Sequence, residues 1–403
     1  MGGTIIGQVI GMVLTPLVTY FYLPSEYGVF SLFLVFITWG NSIVTLRLGE
    51  LFMNEDDEDV RSINVKSFIV VIPIVSFILT LVYFFLSFFN LFGYSHSDMG
   101  YTPFIYLALL AVGAYNYLKY LNLKGKRYSK ISLLEIYKQG GKGTVQLSLG
   151  ILGSGAFGLI VGELIGRSLG IYNLLKSELS FFKVSLKVSL SDVWKYLKFN
   201  TSFISYGTSS SFLSTLSISL PIPIVVTLYG DSIAGQYSLV YKVLSVPIIL
   251  IGKSFADYLH EKAANNKKDI VRMFNNQSRL MFSLACIIFI PAFFLCEYLF
   301  KVFLGSQWHD AGRIAKMLIP WFYFLLTVNS LSRILFVLER QKLKFLYDFL
   351  SIALVGVVYF LSLRLRLDWL DFFIYLSTAK SISYIAYYFL IRHAVKEYNL
   401  VNI

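Results

Sequence analysis

The sequence predicts an all-α polytopic membrane protein with about twelve transmembrane helices in two related halves. The composition is apolar, with 56% hydrophobic and 14% charged residues and a mean hydropathy of +0.67, which excludes an ordinary soluble protein. The apolar residues come in runs of about 20, the length of a helix that crosses a hydrocarbon core of about 30 Å. A chain without the alternation of a closed barrel satisfies its backbone in lipid by forming helices.

A repeated motif divides the chain into halves. The pattern Pro-x5-Tyr-x5-Gly-x-aromatic-Ser-Leu begins at Pro16 and again at Pro223, without a gap and at a constant offset of 207 residues. In each copy an apolar run ends at the tyrosine, turn formers follow, and a second apolar run begins after the glycine. This pattern indicates a helical hairpin, and coincidence between two similar hairpins is the weaker alternative. We therefore predict an N-lobe over residues 1–190 and a C-lobe over 191–403.

The apolar runs place the predicted helices along the chain. The first run lacks a basic n-region and a small-residue cleavage site, so we interpret it as a span rather than a signal peptide. The predicted spans of the N-lobe are 2–22, 27–47, 66–92, 103–121, 130–152 and 156–176. The predicted spans of the C-lobe are 200–229, 234–254, 278–300, 315–337, 345–364 and 369–391.

Basic connections explain the net charge of +12 without nucleic acid as a partner. Lys and Arg collect after even-numbered spans, in the connections 119–130, 176–198, 260–279 and 340–344. The third of these contains Lys262, Lys267, Lys268, Arg272 and Arg279. The positive-inside rule places these connections and both termini in the cytoplasm. Within 176–198, the segment that follows Ser191 as a helix cap suits either an interfacial helix or a plain linker.

Ionised residues inside the spans are the main indication of function. A charge near the bilayer centre costs about 2.5–3.5 kcal/mol or more, so it usually faces a cavity or a partner. The fifth span carries four polar residues whose spacing places them on one helix face: Glu135, Lys138, Lys142 and Gln146. In the sixth span, Glu163 and Arg167 are an i,i+4 pair, for which a structural ion pair is the favoured alternative to a cavity role.

The deeper charges are mostly positive, with six cations and two carboxylates, so we predict an anionic ligand. A phosphate oxygen about 4 Å from a lysine gains about 4 kcal/mol at an effective dielectric of about 20. We predict that six cations line the substrate cavity: Arg47, Lys142, Lys242, Lys253, Arg333 and Lys380. The predicted polar cavity face consists of Glu135, Lys138, Gln146, Ser205 and Ser209. Snorkelling is an equally weighted alternative for Arg47 and Lys253.

The two copies of the motif also resemble a known family. The stretch from Tyr22 to Gly28, followed by Leu46, Arg47 and an acidic loop, resembles the opening of the Wzx-type O-antigen and polysaccharide flippases. The stretch from Leu228 to Leu239 resembles the opening of their second half. These flippases belong to the multidrug/oligosaccharidyl-lipid/polysaccharide exporter superfamily. The arginine of their Leu-Arg-Tyr-Glu pattern corresponds to Arg47, although here the acid is displaced to Glu50.

The resemblance implies two pseudo-symmetric six-helix lobes around a central cavity. It also implies alternating-access transport of undecaprenyl-diphosphate-linked oligosaccharide, an O-antigen or capsule repeat unit, across the bacterial inner membrane. It implies membrane lipids and a glycan polymerase as partners. No nucleotide loop, His/Cys cluster or Ser-His-Asp arrangement is present in the sequence, so we predict no enzyme activity, no metal and no organic cofactor. The coupling ion, a proton or sodium, stays open, with four candidate residues: Glu163, Arg167, Asp257 and Asp348.

Two other functions are alternatives. A drug exporter of the same superfamily would favour acidic residues at mid-membrane for cationic drugs, whereas this chain has more basic ones. A membrane glycan polymerase would need a long extracytoplasmic loop with catalytic Arg or His, and no predicted connection is long enough.

Overall fold

The computed structural model describes residues 2–169, 171–176, 178–265 and 269–401, and these residues form helices and no β-strand. The first eleven α-helices are α1 (Gly2–Tyr20), α2 (Pro24–Val44), α3 (Leu48–Asn54), α4 (Glu58–Phe88), α5 (Thr102–Lys124), α6 (Tyr128–Ile151), α7 (Gly155–Ser168), α8 (Ile171–Lys176), α9 (Leu179–Ser185), α10 (Leu190–Phe199) and α11 (Thr201–Ser219). The remaining seven are α12 (Pro221–Leu244), α13 (Lys253–Asn265), α14 (Ile270–Leu304), α15 (His309–Ser332), α16 (Ile334–Val337), α17 (Lys342–Leu365) and α18 (Trp369–Val401).

The helices confirm the predicted class of an all-α polytopic membrane protein. Within the described residues, eight segments are long and apolar enough to cross a membrane, and Ile6–Tyr20 is a shorter apolar helix. One of the eight, Thr201–Asn265, includes Gly230, where the backbone leaves the helical region with φ 80° and ψ 175°. This break lies in the connection predicted between the seventh and eighth spans.

Several helices extend beyond the apolar runs that predict them. The helix α4 begins at Glu58 rather than at 66, α14 begins at Ile270 rather than at 278, and α18 continues to Val401. A helix keeps its backbone hydrogen bonds in water as well as in lipid, so the end of an apolar run does not end the helix. Lys267 and Lys268 of the predicted basic connection lie outside the described residues.

The predicted helix in the 176–198 connection is present as α10, but the predicted cap is wrong. Ser189, not Ser191, is the N-cap residue, and its side chain accepts a hydrogen bond from the Asp192 backbone N–H. Ser189 has an extended backbone, which aims its hydroxyl at the free N–H groups of the first turn, whereas Ser191 already lies within the helix.

The chain forms two compact units. The first unit comprises residues up to 216 together with Val225–Asp231, and the second comprises Ser217–Ile224 together with residues from 232 onward. Residues of one unit contact one another more than they contact the other unit. The predicted division into lobes of 1–190 and 191–403 stays a prediction.

In the first unit, buried Asn64 joins several helices to α4. Its side-chain amide donates to the Leu48 carbonyl at 3.1 Å and to the Tyr196 hydroxyl at 2.8 Å. Its side-chain oxygen accepts from the Tyr117 hydroxyl at 2.7 Å, and the Tyr117 ring stacks on Phe68 at 3.9 Å. Because the polar groups are satisfied, this amide stabilises an otherwise apolar core.

The corner of the first motif copy is closely packed. Tyr22 is buried and donates to the Gln146 carbonyl at 2.7 Å. Gly28 faces the backbone of Asp231, and a Cβ at position 28 would overlap the Asp231 carbonyl oxygen. Phe30 and Tyr237, which are equivalent in the repeat, are both buried. The motif residues therefore serve packing at these positions.

The second unit packs α15 between α14 and α18, and α17 packs on α18. Its core is rich in aromatic side chains. Tyr347 stacks on Tyr387 with ring centroids 4.2 Å apart, and Tyr237 stacks on Phe373 at 5.2 Å. These pairs hold the helices that carry the polar residues described below.

Candidate functional site

The first unit contains a group of five charged residues, here called the α6–α7 charge cluster: Glu135, Lys138, Lys142, Glu163 and Arg167. At its centre, the Glu163 carboxylate is bound by two cations. Lys142 Nζ lies 2.5 Å from Glu163 Oε2, and Arg167 Nε lies 2.6 Å from Glu163 Oε1. Glu163 is 4% exposed, whereas the Lys142 and Arg167 side chains are 19% and 21% exposed. The carboxylate is therefore enclosed, and its cations extend toward accessible space.

The outer part of the cluster joins α6 to α5. Lys138 Nζ lies 3.6 Å from Glu135 Oε2, and the Tyr115 hydroxyl donates a hydrogen bond to Glu135 Oε1. Lys138 also lies 5.0 Å from the centre of the Tyr115 ring, and Lys142 lies 5.6 Å from that of Phe30. These cation–π contacts add to the ion pairs. The cluster has three cations and two carboxylates, so it keeps one positive charge in excess.

Small residues allow α7 to approach α6 closely enough for these pairs. A Cβ at Gly166 would lie 2.8 Å from the Lys138 carbonyl oxygen. Only a glycine fits at this distance, and close approach through small residues is common between membrane helices. The i,i+4 spacing of Glu163 and Arg167 then places both side chains on the face of α7 that meets Lys142.

Gln146 has a structural role here rather than an accessible one. Its side chain is buried and donates to the Leu159 carbonyl at 2.9 Å, which joins α6 to α7. Its own backbone carbonyl accepts from Tyr22. The Gln146 amide is therefore used inside the helix pair, although it shares a helix face with Lys142, and its place on a polar cavity face stays a prediction.

Arg47 lies where α2 gives way to α3. Leu46 and Arg47 have φ values of 44° and 56°, which breaks the helix because left-handed backbone cannot continue it. Arg47 Nε lies 2.8 Å from Glu50 Oε1, and a second ion-pair contact joins the same two side chains. The guanidinium carbon lies 5.6 Å from the centre of the Phe203 ring. The displaced acid of the family pattern thus neutralises Arg47 one turn later.

In the second unit, Lys380 is buried among neutral acceptors. It is 2% exposed, and its Nζ donates to the Ser217 carbonyl at 2.6 Å and to Ser351 Oγ at 2.7 Å. Its ammonium also lies 5.5 Å from the centre of the Trp321 ring. Asp348 is nearby on α17 but pairs with Lys344 at 2.6 Å. Lys380 is therefore enclosed by the core of its own unit.

The other predicted residues of the second unit differ in their surroundings. Arg333, at the end of α15, forms an ion pair with Asp257 of α13. Lys242 and Lys253 are both exposed, and Lys253 follows a π-helical turn over Ile248–Gly252.

Three of the six predicted cavity cations have an acidic partner, and their place in a substrate cavity stays a prediction. Arg47, Lys142 and Arg333 each have a carboxylate partner on a neighbouring turn or helix. The predicted balance of deep charges already included Glu163 but omitted Asp257, the partner of Arg333. On α11, by contrast, Ser205 and Ser209 are exposed within the first unit.

Sequence reasoning missed two polar partners of the predicted residues. Tyr115 binds Glu135 from another helix, and Lys344 pairs with Asp348 one turn earlier on α17. The i,i+4 spacing of Lys344 and Asp348 was a signal that could have found that pair, whereas no local pattern indicates the contact of Tyr115.

Comparisons with known proteins identify a family and a fold. A family model described as "Polysaccharide biosynthesis protein" matches residues 17–313. A solved structure of the lipid II flippase MurJ in an inward closed conformation superposes with a TM-score of 0.72 at 15% identity, covering 99% of this chain and 89% of that chain.

An inward-facing multidrug resistance MATE family transporter of the MOP superfamily superposes with a TM-score of 0.65 at 12% identity, covering 98% of this chain and 96% of that chain. At these identities the two structures show the fold alone. No curated protein sequence matches the chain.

Proposed function

Because the chain belongs to the polysaccharide biosynthesis protein family, whose model covers residues 17–313, we propose that it is a flippase for lipid-linked oligosaccharide. The ligand is an undecaprenyl-diphosphate-linked O-antigen or capsule repeat unit, which moves across the bacterial inner membrane by alternating access. The protein acts as a transporter rather than an enzyme, and a proton or sodium gradient drives it.

One observation on the α6–α7 charge cluster supports an anionic ligand. Lys142 and Arg167 share the single carboxylate of Glu163, so the cluster keeps an excess positive charge although its members are paired. Both cations are also partly exposed, which leaves N–H donors available to a ligand. A diphosphate that approaches this cluster can accept charge-assisted hydrogen bonds without first breaking the Glu163 pairs.

The predicted substrate residues divide into two groups on this proposal. Lys142, Lys242 and Lys253 are accessible enough to meet a headgroup. Lys380 is enclosed in its own unit, and Arg47 and Arg333 are each paired with a carboxylate. Asp257 and Asp348 already have cation partners, so a coupling ion would compete with Arg333 or Lys344 for them. Glu163 meets the same competition from Lys142 and Arg167.

The proposal is tested in a bacterial strain that lacks its own flippase for a surface glycan. The wild-type gene should restore surface glycan, Lys242→Ala should abolish it at a normal protein level, and Lys242→Arg should retain part of it because the charge is kept. Exposed Lys301, at the far end of α14, provides the control Lys301→Ala, which should restore glycan fully. Full glycan display by Lys242→Ala would remove this lysine from the mechanism.

A multidrug exporter is the alternative that shares the fold. It predicts that the wild-type gene restores resistance to cationic drugs in an exporter-deficient strain. Resistance without glycan display would reverse the proposed function.

A further inference from the structure

The first turns of α14 have an exposed polar face that the proposed function does not yet use. Four residues at positions i, i+3, i+4 and i+7 form this α14 polar face: Arg272, Asn275, Asn276 and Arg279. All four are exposed, while Phe274 and Met281 between and beyond them are buried in the second unit. With Asp269 and Val271, the four residues line an open cavity of about 410 Å³.

The charges of the α14 polar face favour an anion. Among the residues that the structure describes, neither Arg272 nor Arg279 forms an ion pair, and Asp269 at one end is the single acid of the lining. The two arginines are seven residues apart, about 10.5 Å along the helix axis, with the asparagines between them. Each guanidinium presents a planar fork of donors that matches phosphate oxygens. An asparagine amide both donates and accepts, as sugar hydroxyl groups require.

A separate apolar groove lies farther along the same helix. Seven residues of α14 and α15 line this groove of about 350 Å³: Phe289, Ile290, Phe293, Phe294, Ile319, Pro320 and Tyr323. Ile290 follows Arg272 by five helical turns, so the two residues lie on the same side of α14. A ligand with an anionic head and a long apolar tail can therefore lie along one helix, with its head at the arginines and its tail in the groove.

We propose that the α14 polar face is a docking site for a polyprenyl diphosphate. The diphosphate binds Arg272 and Arg279, the first sugar meets Asn275 and Asn276, and the isoprenoid chain lies in the apolar groove. This site rests on the proposed function and adds a binding place for its ligand on the predicted cytoplasmic side. A membrane phospholipid presents similar phosphate chemistry, so the experiment has to separate the two sources.

The test measures binding to the purified full-length protein in lipid nanodiscs. The probe is labelled undecaprenyl diphosphate, with phosphatidylglycerol and inorganic pyrophosphate as competitors. Each arginine should contribute about tenfold in affinity, because a hydrogen bond to a charged group has about this effect. The double variant Arg272→Gln with Arg279→Gln should therefore bind about a hundredfold more weakly. Arg279→Lys should be intermediate, because a lysine keeps the charge but loses the bidentate fork.

The control is Lys301→Gln, since Lys301 is exposed near the opposite end of α14 and should leave binding unchanged. Wild-type affinity in the double variant would overturn the proposed site. Competition by phosphatidylglycerol or pyrophosphate as strong as that by unlabelled prenyl diphosphate would also overturn it, because the ligand would then be any phosphate group. Thermal unfolding at the wild-type temperature shows that the variants are folded.

The result also separates this site from the proposed function. If the wild type moves lipid-linked oligosaccharide across vesicles and the double variant still binds the probe normally, only the docking site is wrong. If the wild type neither binds the probe nor moves the oligosaccharide, both are wrong.

Discussion

The substitution Glu163→Gln should destabilise the protein strongly, because it leaves two cations without their shared carboxylate. Removing one partner of a buried ion pair costs about 3–5 kcal/mol. Glu163 is 4% exposed, but Lys142 and Arg167 are about one-fifth exposed, so solvent screens part of their repulsion. We therefore expect a loss of about 3 kcal/mol in the free energy of unfolding. Reversible unfolding in mixed detergent micelles measures this loss.

A second variant separates charge from shape at the same place. Glu163→Gln combined with Lys142→Met removes one cation and one anion, so the loss should be smaller than the sum of the two single losses by about 1 kcal/mol or more. Glu297→Gln is the matched control, since Glu297 is 52% exposed and pairs with Lys316 at 3.1 Å. It should cost less than about 1 kcal/mol. Equal losses for Glu163→Gln and Glu297→Gln would refute the reasoning about the cluster.

Three further substitutions test the packing around the site by the same unfolding measurement. Gly28→Ala should cost about 1–3 kcal/mol because its methyl group would overlap the backbone carbonyl of Asp231. The control Gly100→Ala has open space around it and should cost nothing measurable. Equal effects of the two substitutions would contradict the close approach of Gly28 to Asp231. Lys380→Met should change the free energy of unfolding by less than about 1 kcal/mol, because it exchanges a buried charge for an apolar side chain of similar length. A loss above about 3 kcal/mol would show that the ammonium group is essential to the core. Asn64→Leu should cost about 2 kcal/mol or more because two tyrosine hydroxyls and a carbonyl lose their partner, and an unchanged stability would contradict that network.

The sequence predicts the helices well because membrane spans depend mainly on local apolar length. The position of the Gly230 break, for example, follows from turn formers between two apolar runs. The beginning of α14 could not be predicted from hydropathy, because Arg272, Asn275 and Asn276 end the apolar run while the helix continues. These polar residues form the exposed face of the first turns of α14.

The site was predictable only where its contacts are local. The pair Glu163–Arg167 follows from i,i+4 spacing, and the structure confirms it. The contact of Lys142 with the same carboxylate joins two helices, so no spacing along the chain could indicate it. The predicted balance of deep charges also omitted Asp257, because its ion pair with Arg333 joins residues 76 positions apart in the chain.

Arg47 shows a third limit, set by backbone conformation. The sequence identifies Arg47 and a nearby acid but not the left-handed backbone that turns the chain there. That turn allows the guanidinium to contact both Glu50 and Phe203. Neither arginine nor leucine favours positive φ, so the conformational preferences of these residues do not predict such a break in the helix.

Transport in proteoliposomes tests the proposed function most directly. Purified wild-type protein is reconstituted with labelled undecaprenyl-diphosphate-linked oligosaccharide, and a membrane-impermeant reagent measures how fast the labelled lipid changes leaflet. We expect exchange well above that of protein-free vesicles, with no accelerated movement of a cationic dye. Movement of the dye without movement of the lipid-linked oligosaccharide would contradict the account.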